Sequence, residues 1–112
     1  MAIANPEPAI GDRDEEFSMP KTYIVATINV TDPNGYERYL NSAIEVTREN
    51  GGTVLVGGIP IEAIEGKFHN RIVVIEFESI EAARSAAAGY TALRDARGTS
   101  APDYNSVIVA GI

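Results

Sequence analysis

An apolar residue recurs at every second position from Ile24 to Val30 within residues 21–30, KTYIVATINV, a stretch rich in β-branched side chains. This pattern is typical of a β-strand, whose successive side chains point to opposite faces of a sheet. One parity holds Ile24, Ala26, Ile28 and Val30, and the other holds Tyr23, Val25, Thr27 and Asn29. The sequence therefore predicts a first strand that has one apolar face and one face of mixed polarity.

The next segment has the period of an amphipathic helix. Asp32 is suited to cap its N-terminus, and Pro33 to occupy its first position. Apolar and aromatic side chains then recur at about 100° per residue on one face. These are Tyr36, Tyr39, Leu40, Ala43, Ile44, Val46 and Thr47. Gly51 and Gly52 can adopt the left-handed conformation that ends a helix, so we expect one long helix with a single buried face.

Two further strands follow this helix. Residues 53–56, TVLV, predict the second strand, and residues 61–65, IEAIE, can resume it after a glycine pair. Residues 69–77, HNRIVVIEF, predict the third strand. Five of its last six residues are apolar and do not alternate with polar ones. Such a run indicates a strand that is buried on both faces.

A second helix and a fourth strand complete the chain. Ser79 can cap the helix, whose alanine-rich first part is expected to pause at Gly89 and to continue as YTALRDAR to Gly98. Residues 104–112, YNSVIVAGI, predict the last strand. The order is therefore β-α-β-β-α-β, the ferredoxin-like α+β arrangement of an antiparallel sheet with two helices on one face.

Two helices cover only one face of such a sheet. In the third strand, however, Val73, Ile75 and Phe77 alternate with Ile72 and Val74, so both faces are apolar. Soluble monomers rarely expose an apolar patch of more than a few hundred Å². We therefore expect an isologous homodimer in which the sheets of two copies pack face to face, forming a dimeric α/β barrel.

Length, composition and charge narrow the class of protein. A chain of 112 residues with 45% hydrophobic and 22% charged residues fits one globular domain. Residues 1–18 hold five acids and one arginine, so we expect an acidic N-terminal extension followed by a single domain at residues 19–112. The net charge of -7 argues against binding to nucleic acid or to an anionic membrane. Without an apolar run of transmembrane length or a secretory signal, a cytoplasmic location is expected.

The segments MPKTYIVATINVTDPNGYERYL, GGTVLVGG, IEAIEG, RIVVIEFESIEAARS and YTALRDAR, in this order and spacing, resemble the family known as domain of unknown function 1330. The resemblance covers residues 19–112. The most specific matching pieces are Gly51 with Gly52, IEF at residues 75–77, and Tyr90 followed by Arg97. The family often has a basic residue before the second glycine pair, where this chain has Val56.

This resemblance implies the dimeric α/β-barrel superfamily, in which two ferredoxin-like subunits pair through their sheets. The superfamily also contains cofactor-independent monooxygenases, haem-degrading enzymes, small isomerases and ligand-sensing domains. It therefore implies a fold and a mode of pairing but does not select a reaction.

Two residues are candidates for catalysis. Glu76 stands on an otherwise apolar strand, where burial beneath a pocket would suit a general base. The alternative is that its carboxylate pairs with a lysine or arginine of a neighbouring element. His69, the only histidine, could serve as a general base or as a metal ligand, but its neighbours Gly66 and Asn70 favour an exposed loop.

Four residues are candidates for ligand binding. Tyr90, Leu93 and Arg97 are spaced i, i+3, i+7, which places them on one face if the helix continues through Gly89. Arg97 could then reach an anionic ligand beside Tyr39, between helix and sheet, and Arg71 could hold a carboxylate. The alternatives are that Arg97 covers the helix end and that Arg71 pairs at the surface. The tyrosines are expected to be amphipathic core residues.

No metal or cofactor is expected. The chain has no cysteine, and its one histidine has no partner at metal-ligand spacing. GGTVLVGG lacks the lysine and hydroxyl of a phosphate-binding loop. Three functions remain open: a homodimer that binds a small organic molecule in a cleft of each subunit, a cofactor-independent monooxygenase-like or isomerase-like enzyme, and a non-catalytic interaction module.

Overall fold

The computed structural model describes residues 20–59 and 61–112. It contains strands β1 (Thr22–Asn29), β2 (Thr53–Val56), β3 (Arg71–Phe77) and β4 (Asp103–Ala110), and helices α1 (Pro33–Glu49), α2 (Ile80–Ala92) and α3 (Arg94–Arg97). The predicted α+β, ferredoxin-like fold is confirmed, with a third, short helix in addition to the two expected. The predicted acidic extension lies outside the described residues, so its boundary stays a prediction.

The four strands form one antiparallel sheet in the order β2-β3-β1-β4. Ile24 of β1 lies opposite Ile75 on one side and Ile108 on the other, so these three side chains share a face. Burial alternates along β1, where Ile24 and Ile28 are buried and residues of the other parity are half-buried. The two predicted parities thus lie on opposite faces, and the helices cover the one that holds Ile24.

Helix α1 begins and ends as the sequence predicts. The Asp32 carboxylate accepts a hydrogen bond from the Gly35 amide at 3.2 Å, and Pro33 is the first helical residue. The helix ends before Gly51, whose φ is 70°. Its buried face packs Tyr36, Tyr39, Ala43 and Thr47 against the sheet. Leu40 and Ile44, predicted for the same face, lie at its margin with exposed fractions of 36% and 42%.

The predicted pause at Gly89 is wrong, because α2 runs through this residue to Ala92. The absence of a side chain serves packing instead. A Cβ added to Gly89 would lie 2.6 Å from Cγ1 of Val46, so glycine allows α1 and α2 to approach closely. The break comes four residues later at Leu93, whose amide donates to the Tyr90 carbonyl at 3.0 Å before α3 begins.

The predicted return of the second strand at residues 61–65 is also wrong. No strand is present between β2 and β3 in the described residues, and Glu62, Ala63 and Ile64 are exposed. β2 pairs with β3 only along Thr53–Val56, with a register shift before Val56. Ile61 and Ile64 instead line a shallow hollow beside Ile72 of β3 without pairing with it as a strand.

No described helix covers the opposite face of the sheet, although the loop before β3 borders Ile72 there. We call this face the outer face, and it carries Tyr23, Val25, Thr27, Val56, Ile72, Val74, Glu76, Asn105, Val107 and Val109. Valine and isoleucine dominate its centre, and Val107 is 56% exposed. β3 therefore presents apolar side chains on both faces, and the expected burial of its outer face stays a prediction. No described helix combines the length and apolar character needed to cross a bilayer. A cytoplasmic location stays a prediction.

Candidate functional site

Three side chains form one row across the helix-covered face of the sheet. Ile28 in β1 lies opposite Arg71 in β3 and, on its other side, opposite Tyr104 in β4. Opposed residues of antiparallel strands point to the same face, so an arginine and a tyrosine flank a buried isoleucine beneath the helices. Each of these three residues comes from a different strand, so they lie close together only when the sheet is formed.

Helix α1 covers this row with two tyrosines, one turn apart. The Tyr36 and Tyr39 ring centres are 5.5 Å apart, and the Tyr39 ring meets the Tyr104 ring edge to face at 6.2 Å. The Tyr39 hydroxyl donates to the Tyr104 hydroxyl at 3.2 Å. These contacts tie α1 to β4 by both aromatic packing and a hydrogen bond.

Two arginines lie against these rings. The guanidinium carbon of Arg97 is 4.1 Å from the Tyr104 ring centre and 5.6 Å from that of Tyr39, and that of Arg71 is 5.4 Å from the Tyr36 ring centre. We call these five residues the tyrosine–arginine cluster. Within the described part of the chain, the Nε atoms of both arginines are buried without a hydrogen-bond acceptor, and neither arginine forms an ion pair. Buried donors of this kind are normally paired with an acceptor, so the two arginines can donate to an additional hydrogen-bond acceptor.

Burial raises the pKa of two phenols in the cluster, those of Tyr36 and Tyr104. Burial, reinforced by the neighbouring Tyr39, raises the pKa of Tyr36 to about 12, although the charges of Arg71 and Arg97 oppose this shift. Burial also raises the pKa of Tyr104. Tyr36 and Tyr104 therefore do not neutralise the arginine charges near pH 7, and the cluster is electropositive.

Two neighbouring hollows open beside the cluster. The first, the apolar cavity, lies between α1 and the sheet and has a volume of about 200 Å³. Its walls include Ala43, Val54, Val73 and Ile75. Tyr36, Tyr39, Tyr90 and Tyr104 also line it. On the wall, the Tyr90 hydroxyl is hydrogen-bonded to the Thr47 hydroxyl. This cavity is suited to a carbon skeleton.

The second hollow, the arginine cleft, lies between the α2–α3 region and β4 and has a volume of about 360 Å³. Arg94 and Arg97 line it together with the hydroxyl-bearing Thr91 and Ser106. Ile24, Tyr90 and Tyr104 line both hollows, so the two adjoin at these residues. A molecule that occupied both would have an apolar part among tyrosines and a polar part among arginines.

The structure brings the four predicted ligand-binding residues to the same side of the sheet. Tyr39 and Tyr90 line the apolar cavity, Arg97 lines the arginine cleft, and Arg71 lies against Tyr36. The expected continuous helix that would align Tyr90 with Arg97 is interrupted at Leu93. Arg97 nevertheless reaches the Tyr39 ring, as the sequence suggests. The role of these residues in binding remains a proposal.

The two predicted catalytic residues lie elsewhere. Glu76 is on the outer face, where the Tyr23 hydroxyl donates to its Oε2 atom at 3.2 Å. The half-buried His69 precedes β3, with its Nε2 atom 3.4 Å from Nδ2 of Asn105. The sheet separates Glu76 from the tyrosine–arginine cluster, so the structure does not join it to the candidate ligand-binding residues.

Sequence reasoning missed Tyr104, the residue that contacts both Tyr39 and Arg97. A signal was present, since Tyr104 has the same strand parity as Ile108 and so faces the helices. Its importance depends on β4 lying beside β1, a pairing between segments about 80 residues apart in sequence. No local pattern encodes that contact. In the described residues, no group of histidine and acidic side chains is arranged to hold a metal ion.

Comparison with known proteins identifies relatives of the fold. The pattern of the family described as Domain of unknown function (DUF1330) matches residues 21–112, which confirms the resemblance noted in the sequence. A protein of unknown function from Rhodopseudomonas palustris is structurally similar with a TM-score of 0.62 and 14% identity, over 92% of this chain and 96% of that one. No curated protein matches the chain.

A second solved structure, an inferred antibiotic biosynthesis monooxygenase from Caulobacter crescentus CB15, is similar with a TM-score of 0.51 and 14% identity. The similarity covers 88% of this chain and 96% of that one. At this level of identity the two structures support the shared fold and not a shared activity.

Proposed function

The chain belongs to the DUF1330 family, and we propose that it is a homodimer whose subunits each bind a small organic molecule between the helices and the sheet. The observation that carries the binding proposal is the junction of the apolar cavity with the arginine cleft at Tyr104. Ligand sites are typically concave and apolar with a few convergent polar groups, and the junction has this character.

The tyrosines support binding rather than simple core packing. A protein interior is normally close-packed, with few voids larger than a water molecule. Here Tyr39 and Tyr104 are tied together by their hydroxyls and Tyr90 is tied to Thr47, yet about 200 Å³ stays open beside them. Side chains that are fixed in place around an open volume form a preorganised wall, which lowers the cost of binding.

The outer face supports the homodimer. The valines and isoleucines at its centre, among them Val25 and Val74, face away from every described helix. If about 400 Å² of apolar area per subunit is covered, at about 25 cal/mol per Å², the gain is on the order of 10 kcal/mol per subunit before the costs of association. A second copy presents the same apolar face, so the partner we propose is this chain itself.

The positions of Glu76 and His69 make catalysis in the cleft a weaker hypothesis. In the proposed homodimer the Glu76 carboxylate would face the partner, where the Tyr23 hydroxyl already satisfies one of its oxygens. An interaction module without a ligand is the remaining alternative, and the open volume beside the tyrosine–arginine cluster argues against it.

Amide chemical-shift mapping with a panel of small organic fragments tests the binding proposal. We expect fragments to shift the amides of residues around the junction, including Tyr90 and Tyr104. Ala43→Leu places a larger side chain in the apolar cavity and should abolish these shifts. Ala88→Leu, an equal enlargement at an exposed position of α2, should preserve them.

The result that would overturn the proposal is equally specific. It is wrong if no fragment shifts the amides around the junction, or if Ala43→Leu folds normally and gives the same shifts as the unsubstituted protein. Normal folding is checked by the dispersion of the amide spectrum.

A further inference from the structure

We propose that the ligand is an organic anion, specifically a monocarboxylate with an apolar body of about one six-membered ring. Its carboxylate would be held by Arg97 and its apolar body by the cavity that Tyr39, Tyr90 and Tyr104 enclose. This inference rests on the proposed binding function, because it assigns the chemistry of the molecule that occupies the same site.

The Arg97 guanidinium stacks against two tyrosine rings in the absence of a ligand. Its guanidinium lies over the Tyr104 ring at 4.1 Å and near the Tyr39 ring at 5.6 Å. Arginine stacks on aromatic faces and still presents the N–H groups at its edge, which match the two oxygens of a carboxylate. The buried Nε of Arg97 has no acceptor among the described residues. An incoming carboxylate would supply one.

The walls of the arginine cleft favour a negative charge. Arg94 adds a second positive charge, and Thr91 and Ser106 add hydroxyl donors. None of the described lining residues is acidic. This local charge contrasts with the net charge of -7 of the whole chain, which repels anions in general. A preference for anions would therefore have to come from the cleft itself.

The apolar cavity limits the rest of the molecule. An apolar cavity of about 150 Å³ is large enough for benzene, so a volume of about 200 Å³ accommodates a single ring or a short branched chain. A free phosphate ion would leave this cavity empty, because entering it would require the ion to give up its water among tyrosine rings. The geometry therefore favours a carboxylate attached to carbon over an inorganic anion.

Matched pairs of probes test the inference. Benzoate, phenylacetate and hexanoate would each be titrated in parallel with the corresponding primary amide, which has nearly the same shape without the charge. Inorganic phosphate serves as the anion without an apolar body. Dissociation constants from ligand-observed NMR are the readout. We expect at least one acid to bind about tenfold or more tightly than its amide, and phosphate to bind weakly.

Substitutions assign the preference to Arg97. Arg97→Gln should bring the affinity of the acid to that of its amide and leave the affinity of the amide nearly unchanged. Arg97→Lys, which keeps the charge without the planar fork, should retain part of the preference and provides a second test if Arg97→Gln folds poorly. Arg84→Gln removes one positive charge from the exposed surface of α2 and should keep the full preference.

The failures of the two proposals are distinguishable. If acids and amides bind equally well, or if Arg97→Gln folds and keeps the preference, the anion inference is wrong and the binding site stands. If Arg84→Gln reduces the preference as much as Arg97→Gln does, general charge rather than the cleft is responsible and the inference is also wrong. If neither acids nor amides bind at the junction, the proposed function fails together with this inference.

Discussion

The guanidinium carbon of Arg97, in the last turn before the loop to β4, lies 4.1 Å from the ring centre of Tyr104 in that strand. This contact connects the short helix α3 to the sheet and places the arginine beside Tyr104, which lines both hollows. Because α3 has only four residues and no side-chain cap, tertiary contacts rather than its own hydrogen bonds must hold it in place.

A double-mutant cycle measures that contact. We expect Arg97→Gln and Tyr104→Leu to lower the free energy of unfolding with a coupling of about 0.5–2 kcal/mol, because either change removes the same stacking interaction. Tyr104→Phe keeps the ring and should keep most of the coupling, although it loses the hydrogen bond from Tyr39. Urea unfolding checks this, and additive effects of the two substitutions would show that the residues do not interact.

The homodimer prediction concerns the centre of the outer face. Val74→Asp places a charge opposite Val25 and should give a folded monomer, since burying an unpaired carboxylate in each copy costs several kcal/mol. Ser85→Asp adds the same charge to an exposed position of α2 and should remain dimeric. Light scattering after size exclusion at micromolar concentration gives the masses. A monomeric unsubstituted protein would refute the prediction.

The close packing of α1 and α2 predicts that alanine is less stable than glycine at residue 89, the opposite of what helix propensity predicts. Alanine is about 1 kcal/mol more favourable than glycine within a helix. Gly89→Ala should nevertheless destabilise the protein by about 1–2 kcal/mol, because its Cβ would lie 2.6 Å from Cγ1 of the stiff, β-branched Val46.

Two controls accompany this substitution. Adding Val46→Ala to Gly89→Ala should relieve the clash, so the double variant should lose less than the sum of the two single losses. Ser85→Ala tests alanine at an exposed position of the same helix and should be neutral or slightly stabilising. If Gly89→Ala raises the unfolding free energy, the close approach of α1 and α2 is contradicted.

Alkaline stability depends on the buried phenols. Burial raises the pKa of Tyr36 to about 12, so the folded state holds this proton more tightly than the unfolded state. The associated stability is complete below about pH 10, the ordinary tyrosine pKa, and is lost as the pH rises from there towards 12. Urea unfolding between pH 8 and pH 11 should show this decline. Tyr36→Phe should show a shallower one, and equal slopes would contradict the assignment.

Local patterns in the sequence predicted most of the fold. The period of α1, its Asp32 cap and the parity of β1 are each encoded within one segment, and the structure confirms them. The pause expected at Gly89 failed because glycine has two uses, ending a helix and admitting a neighbour, and only the position of Val46 distinguishes them. The strand expected at residues 61–65 is absent because an alternation over only five residues does not encode which strand it would pair with.

The candidate site was predictable only in part. Spacing on one helix suggested that Tyr90 and Arg97 act together, and the structure brings both to the arginine cleft by a different route, through a break at Leu93. The strand parity of Tyr104 indicated that it faces the helices, but its contacts with Tyr39 and Arg97 depend on the pairing of β4 with β1. The tyrosine–arginine cluster is thus assembled by long-range contacts, which a single sequence does not reveal.

A crystal structure of the protein with benzoate or phenylacetate bound is the most direct test of the proposed binding site. We predict that the carboxylate lies within hydrogen-bonding distance of the Arg97 guanidinium and that the ring lies in the apolar cavity against Tyr39 and Tyr104. A ligand bound instead on the outer face beside Glu76, or an apolar cavity closed by its own side chains, would contradict the central claim that the helix-covered side of the sheet is the binding site.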